Sequence, residues 1–411
     1  MSVGDVPGRI IVVGGGIGGA SVAYHLARAG AREVLLLERA TLGSGTTWHS
    51  TGNMETYRPD PLHFSMVHYA AEFYPAIAQQ AARDIGWREV GRIMYTDRMT
   101  RWAEFRTLPE LARPRGIEIE LLAPAALARR LPILDVEGLL GGVWIPSDAR
   151  VNPTDAVQAI AWCARAAGVE VREHCPVERL DLRGGRVRGV VTAQGTLECE
   201  VLVLAAGLWS QELARSAGIA LPLDALEHQY LITRPFGVAP HLPLFLSYDD
   251  QLYGREEVGG ILFGSLDDDA IPIDVAAVPE PGSGSLLPER WSQFEPYLAT
   301  ALKRFPALRS TPVKMLVNGP EGFTPDGKML LGPVPGPDGL WVACGFNSNG
   351  MALAPAAGRY LAEWLLEGRT SLDLAPVDVR RFSPAQCAAG YVREQVRHVP
   401  GRACRLSARP S

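Results

Sequence analysis

The sequence predicts an α/β fold, with a parallel sheet opened by a strand–turn–helix–strand unit at the N terminus and a mixed sheet later in the chain. Three observations carry this. β-Branched residues from Ile10 to Val13 run straight into Gly14-x-Gly16-x-x-Gly19, and a helical pattern follows with Ile17, Ala20, Ala23, Leu26 and Ala27 on one face. A second strand, Val34 to Leu37, ends in the acidic Glu38. From Leu221 to about Val317 the pattern is that of a mixed sheet with long Pro- and Asp-rich connections.

The glycines of the opening unit have separate tasks: a tight turn, close approach of backbone N–H groups to a pyrophosphate, and close helix-to-strand packing. The helix N terminus faces the phosphates with unpaired N–H groups and the positive end of its dipole. Gly30 stands where a helix commonly stops. Glu38 is placed to accept from ribose hydroxyls, and its charge disfavours a 2′-phosphate and hence NADP. All parts agree on a Rossmann-like dinucleotide site, but the motif alone does not separate FAD from NAD.

A chain of 411 residues exceeds one ordinary core, so two domains, or one with large insertions, are expected. With 47% apolar residues the chain is globular, and a formal net charge of −5 without a long basic run argues against nucleic acid as a partner. The longest apolar run, Val201 to Trp209, is far short of a bilayer span, so no membrane segment is expected. Met1 to Pro7 shows no basic region leading into an apolar stretch, which makes a cytoplasmic protein the expectation. Cys163, Cys175, Cys199, Cys344, Cys387 and Cys404 are scattered and read as reduced, mostly buried thiols, with no structural metal expected. The oligomeric state is left open.

After Glu38-Arg39 comes a loop dense in Gly and hydroxyl residues, Thr41 to Asn53, suited to wrapping donors around a polar cofactor chain. The pairing of the fingerprint with Ser44-Gly45-Thr46-Thr47-Trp48-His49 resembles FAD-dependent amine oxidoreductases of the D-amino-acid oxidase/glycine oxidase superfamily. Within it, the sequence is most similar to the flavin domain of dimethylglycine and sarcosine dehydrogenases. In them the histidine of the Thr-Trp-His segment is joined to the 8α-methyl of FAD, and His49 aligns with it. The family commonly continues Ala-Ala-Gly where this chain has Ser50-Thr51-Gly52.

Pro61 to Leu140 carries helical patterns interrupted by a short strand from Gly91 to Thr96, the first crossing into a second domain. Thr154 to Ala167 is amphipathic, with Val157, Ile160, Ala161 and Ala164 turned one way. Short strands follow at Val169 to Arg172, Val177 to Leu182, Val187 to Thr192 and Val201 to Ala205, with a Gly184-Gly185 hairpin turn among them. The resemblance places Val177 beside the adenine and the turn Ala206-Gly207-Leu208-Trp209 beside the pyrophosphate.

Glu227 to Thr233 and Leu252 to Gly264 resemble the strands that wall the flavin ring, and His228 and Tyr253 match positions from which an imidazole and a phenol approach a substrate amine. Gly-rich turns at Asn318 to Gly327 and at Gly345, Asn347, Ser348, Asn349 and Gly350 precede a helical pattern from Leu353 to Leu366. The resemblance puts that helix N terminus at the pyrimidine side of the flavin, where its dipole favours negative charge. Related glycine and monomeric sarcosine oxidases carry a carboxylate-clamping arginine in the first turn, where this chain has Asn318-Gly319-Pro320-Glu321. Arg58 and Arg255 are the candidates left to hold a substrate carboxylate.

The resemblance thus implies a discontinuous Rossmann-like FAD-binding domain (1–55, 145–220 and 320–372), a mixed-sheet substrate domain (56–144 and 221–319) and a C-terminal extension (373–411), mobile after Pro400. It implies FAD as cofactor, a small amine or amino-acid substrate, and O2 or an electron-transfer partner as acceptor. The reaction would remove hydride from a carbon next to the amine, with imine hydrolysis following. The dehydrogenases continue into a folate-binding domain where this sequence ends. That favours glyoxylate release in the glycine-oxidase manner over N-demethylation, since free formaldehyde burdens a cell. A flavin-carrying subunit of a heteromeric dehydrogenase is a further alternative.

Overall fold

The computed structural model describes residues 7–280 and 286–403. The first six residues, Cys404 and the end of the tail lie outside the described residues. Among those described, one six-stranded sheet and one nine-stranded sheet dominate, with two small three-stranded sheets beside them.

The six-stranded sheet runs in the order Leu330–Pro333, Leu340–Cys344, Val201–Leu204, Ile10–Val13, Val34–Leu37, Glu170–Arg172. All neighbours are parallel except the first pair. Its central strands are apolar at every position because both faces are covered. Ile10, Val12, Val34, Leu36, Val201 and Val203 pack under helices Ile17–Arg28, Pro61–Gln80, Pro153–Ala166 and Gly350–Glu367. Ile11, Val13, Leu35, Leu37, Leu202 and Leu204 face the hairpin Val177–Arg183/Arg186–Thr192. The helix Pro61–Gln80 packs in the helical layer over the six-stranded sheet. Asp60 caps it by accepting from the His63 N–H at 2.9 Å.

In the nine-stranded sheet, alternation sorts the strands into two rows. Ile93, Phe245, Phe263, Leu231 and Leu316 form one row, buried with Phe294 and Ala301 of helix Trp291–Arg304. The other row, Met94, Leu246, Tyr253, Gly264, Tyr230 and Val317, lies on the opposite face.

Two sequence expectations are corrected. Leu252 to Gly264 is a hairpin of strands Leu252–Glu257 and Gly260–Ser265, turning at Val258-Gly259, whose φ values of 48° and 76° suit a two-residue turn. The expected turn at Asn318 is instead the interior of strand Val313–Phe323, which pairs along its length with Asp224–Thr233; cross-strand pairing outweighs the local Gly and Pro signals. The expected boundaries at 144/145 and 319/320 both fall inside strands.

Candidate active site

A cavity of about 670 Å³ lies at the C-terminal ends of the central parallel strands, lined by Val13, Leu37, Ala205 and Ala343 and the loops that follow them. This is where open α/β sheets receive ligands. Of the residues assigned to the cofactor, Gly14, Gly16, Ile17, Glu38, Arg39, Gly45, Thr46, Thr47, Val177, Ala206, Gly207, Trp209, Gly345, Asn347, Ser348 and Gly350 line it. Gly19, Ser44, His49 and Asn349 do not, nor do His228, Tyr253, Arg58 and Arg255.

The three fingerprint glycines behave differently. Gly14 has a φ of 110°, and a Cβ there would fall 2.5 Å from the Ala205 carbonyl oxygen. At Gly19 it would fall 1.8 Å from the Gly14 carbonyl oxygen, so this glycine serves packing. At Gly16 it would meet only Thr47 Oγ1, at 3.1 Å, which leaves the space over Gly16 to a ligand. Glu38 is buried; its carboxylate accepts from Gly15 N–H at 2.7 Å and Ala40 N–H at 2.9 Å, bracing the turn. Thr47 Oγ1 accepts from Ile17 N–H at 3.1 Å, and the Arg39 guanidinium stacks 3.9 Å from the Trp209 ring centre. Burial lowers the Arg39 pKa.

At another side of the cavity, Asn347 and Ser348 adopt left-handed φ of 50° and 61° just before helix Gly350–Glu367. Few non-glycine residues do so without outside support. Asn347 Oδ1 accepts from Thr324 N–H at 2.9 Å, the Ser348 hydroxyl donates to Glu321, and Asn349 Oδ1 accepts from Arg58 at 2.6 Å. Glu321 and Ser50 line the cavity and were not assigned from sequence. Strand alternation finds Glu321 once Gly319 is placed: the two share a face.

That face also carries His228, the cross-strand partner of Gly319. The His49 ring lies over Gly319, where a Cβ would come within 2.5 Å of Nδ1 and Cε1. His49 is buried with no hydrogen-bond partner for Nε2, and burial pushes its pKa down to about 4, against the opposing pull of Glu321. It is therefore neutral at pH 7. His228 Nε2 lies 3.0 Å from the Tyr253 hydroxyl, with the ring planes 10° apart. Asn318 points the other way: its amide donates to Glu227 at 2.8 Å and the Pro288 carbonyl at 2.9 Å.

The two assigned arginines are both engaged. Arg58 pairs with Glu55, which also meets Arg92 at 3.4 Å; the two cations outweigh burial and hold the Glu55 pKa low. Arg92 bridges on to Asp148 at 3.1 Å, where burial dominates and raises the carboxyl pKa. Arg255 pairs with Glu257 at 2.7 Å and donates through Nε to the Thr51 carbonyl at 2.7 Å, and burial lowers its pKa.

A glycine-lined cradle, a helix N terminus without an acidic residue in its first turn, and a neutral imidazole nearby whose Nε2 has no partner together suit a large anionic dinucleotide such as FAD. A family model described as FAD dependent oxidoreductase matches residues 9–364, and the chain belongs to that family, with FAD as its cofactor. The chain is 35% identical over 395 residues to 4-methylaminobutanoate oxidase (formaldehyde-forming) of Paenarthrobacter nicotinovorans, covering 96% of this chain and 48% of that protein. It is 34% identical to the mitochondrial pyruvate dehydrogenase phosphatase regulatory subunit of Mus musculus, covering 95% and 45%, and 32% identical to mitochondrial sarcosine dehydrogenase of Homo sapiens, covering 91% and 41%. The chain thus spans under half the length of these relatives. In fold it matches the crystal structure of L-proline dehydrogenase from P. horikoshii with a TM-score of 0.80, at 24% identity over 91% of this chain and 97% of that one. Among the described residues no helix is long and apolar enough to cross a membrane.

Proposed function

We propose that the chain oxidises the C–N bond of an N-methylated amino acid, releasing formaldehyde and the demethylated amine. The observation that carries this is the His228–Tyr253 hydrogen-bonded pair on the sheet face that also bears His49 and Glu321. Bound FAD supplies the hydride acceptor. The protein must present a neutral amine, and either partner of the pair can take or hold the amine proton, which is general acid–base work. Arg255 stands two residues from Tyr253 on the same face and is assigned the substrate carboxylate, with Arg58 supporting the turn at Asn349. His49, neutral and unpartnered at Nε2, is assigned the covalent link to FAD.

Demethylation is preferred over the glyoxylate-releasing outcome expected from sequence, because relatives at 35% and 32% identity are named as a formaldehyde-forming oxidase and a sarcosine dehydrogenase. A second reading is a role as a flavin-binding subunit of a larger assembly, since one relative at 34% identity is named as a regulatory subunit.

The test is anaerobic flavin bleaching by sarcosine, dimethylglycine, 4-methylaminobutanoate and glycine, with formaldehyde and glyoxylate assayed and turnover followed with O2 and with an artificial acceptor. Formaldehyde from an N-methyl acid is expected, with reduction slowed about 10²-fold in Tyr253→Phe and His228→Asn. Glyoxylate as sole product would overturn the demethylase reading. Absence of bleaching by every amine would favour the subunit.

A further inference from the structure

We propose that Gly264 is a positioning residue of this site: its missing side chain is the seat on which the Tyr253 ring lies to reach His228. The proposal rests on the reading above for its functional consequence, but not for its geometry. Tyr253 and His228 belong to strands separated by a third, Gly260–Ser265, so their backbones stand about 10 Å apart, two strand spacings. Gly264 is the cross-strand partner of Tyr253 on one side and of Tyr230 on the other. The phenol closes the gap by lying flat over it. A Cβ on residue 264 would sit 2.3 Å from both Cζ and the hydroxyl oxygen of Tyr253 and 2.8 Å from its Cε1, and these are its three nearest atoms.

The backbone gives no reason for a glycine here. Gly264 is outside the left-handed region, unlike Gly14, and glycine inside a buried strand weakens it unless something must approach closely. What approaches is the Tyr253 ring. An alanine at 264 is acceptable to the strand and is resisted only by a side chain that can swing away. Its cost therefore falls on the 3.0 Å contact between Tyr253 and His228 Nε2.

The experiment uses the flavin-loaded protein with Gly264→Ala, Tyr253→Phe and the double variant, and follows the His228 Nε2 resonance at fixed pH by 15N-histidine NMR together with kcat/KM. Gly264→Ala should move that resonance in the same direction as Tyr253→Phe, and the double variant should move it no further. The losses in kcat/KM should be equally non-additive, about 10²-fold in each single variant and in the double. A wild-type His228 resonance in Gly264→Ala, with a moved one in Tyr253→Phe, would overturn the proposal. Shared NMR shifts with unchanged kcat/KM would uphold the seat and refute the catalytic reading of the pair. If Gly264→Ala melts early, adding Tyr253→Ala removes the obstructing ring and should restore the melting temperature to that of Tyr253→Ala alone. Failure to restore it would show that the ring is not what the glycine accommodates.

Discussion

Lowering the pH from 8 to 5 should loosen the helix that bears the fingerprint, through His25. This residue is buried in Ile17–Arg28 with Nδ1 2.7 Å from the Ser21 carbonyl oxygen and Nε2 2.7 Å from the Tyr69 hydroxyl. A carbonyl only accepts, so Nδ1 carries the proton and Nε2 accepts from Tyr69: the ring is held neutral. Burial pushes its pKa from 6.5 to about 4, helped by the nearby Arg359. The folded pKa is depressed, so the full stability is present above pH 6.5. As pH falls from 6.5 toward 4 the unfolded chain binds a proton that the folded one refuses, and stability drops by about 1.4 kcal/mol per unit. The loss attributable to His25 is about 2 kcal/mol at pH 5 and about 3 kcal/mol below pH 4. Urea unfolding of wild type and His25→Gln, followed by helical signal at pH 8 and pH 5, isolates this share, because other groups titrate in both proteins. The stability difference between them should narrow, or change sign, by about 2 kcal/mol on acidification. A difference that stays constant would refute the assignment of a neutral, acid-labile His25.

Two further outcomes test the cradle. Gly19→Ala, which overpacks against Gly14, should lower the stability of the flavin-free protein by about 1–3 kcal/mol, whereas Gly16→Ala should cost less there and weaken FAD binding; equal behaviour of the two in melting and flavin titration would contradict the division of roles. Under denaturing electrophoresis, flavin fluorescence should travel with the wild-type band and disappear in His49→Ala, and fluorescence retained in the variant would place the link elsewhere.

Much of this protein was legible in one dimension because its signals are local. The Gly14-x-Gly16-x-x-Gly19 turn, the alternation from strand to helix, and Glu38 at the end of the second strand depend on neighbours a few residues away, and the structure places Gly14, Gly16 and Glu38 around the cavity. Gly184-Gly185 likewise turn the hairpin with φ of 60° and 71°. The stretch from Asn318 to Phe323 misled because its turn-forming residues are held in a strand by six cross-strand pairings with residues 224–229, a partner some ninety positions away.

The sequence by itself determined the α/β class and the dinucleotide-type cradle, since these rest on periodicity and on short motifs whose geometry is set by backbone sterics; the kinship with amine-oxidising flavoproteins came from the resemblance of the stretch around Thr47-Trp48-His49. Only the tertiary structure decided which side chains meet. It laid His49 on Gly319 and Tyr253 on Gly264, and tied Arg58 to Glu55 and Asn349. It also turned Asn318 away from the site toward Glu227 and brought Glu321 to Ser348. The contacts made from strands, at Gly319, Gly264, Asn318 and Glu321, depend on register and on which face a side chain takes, and a shift of one residue would reverse them.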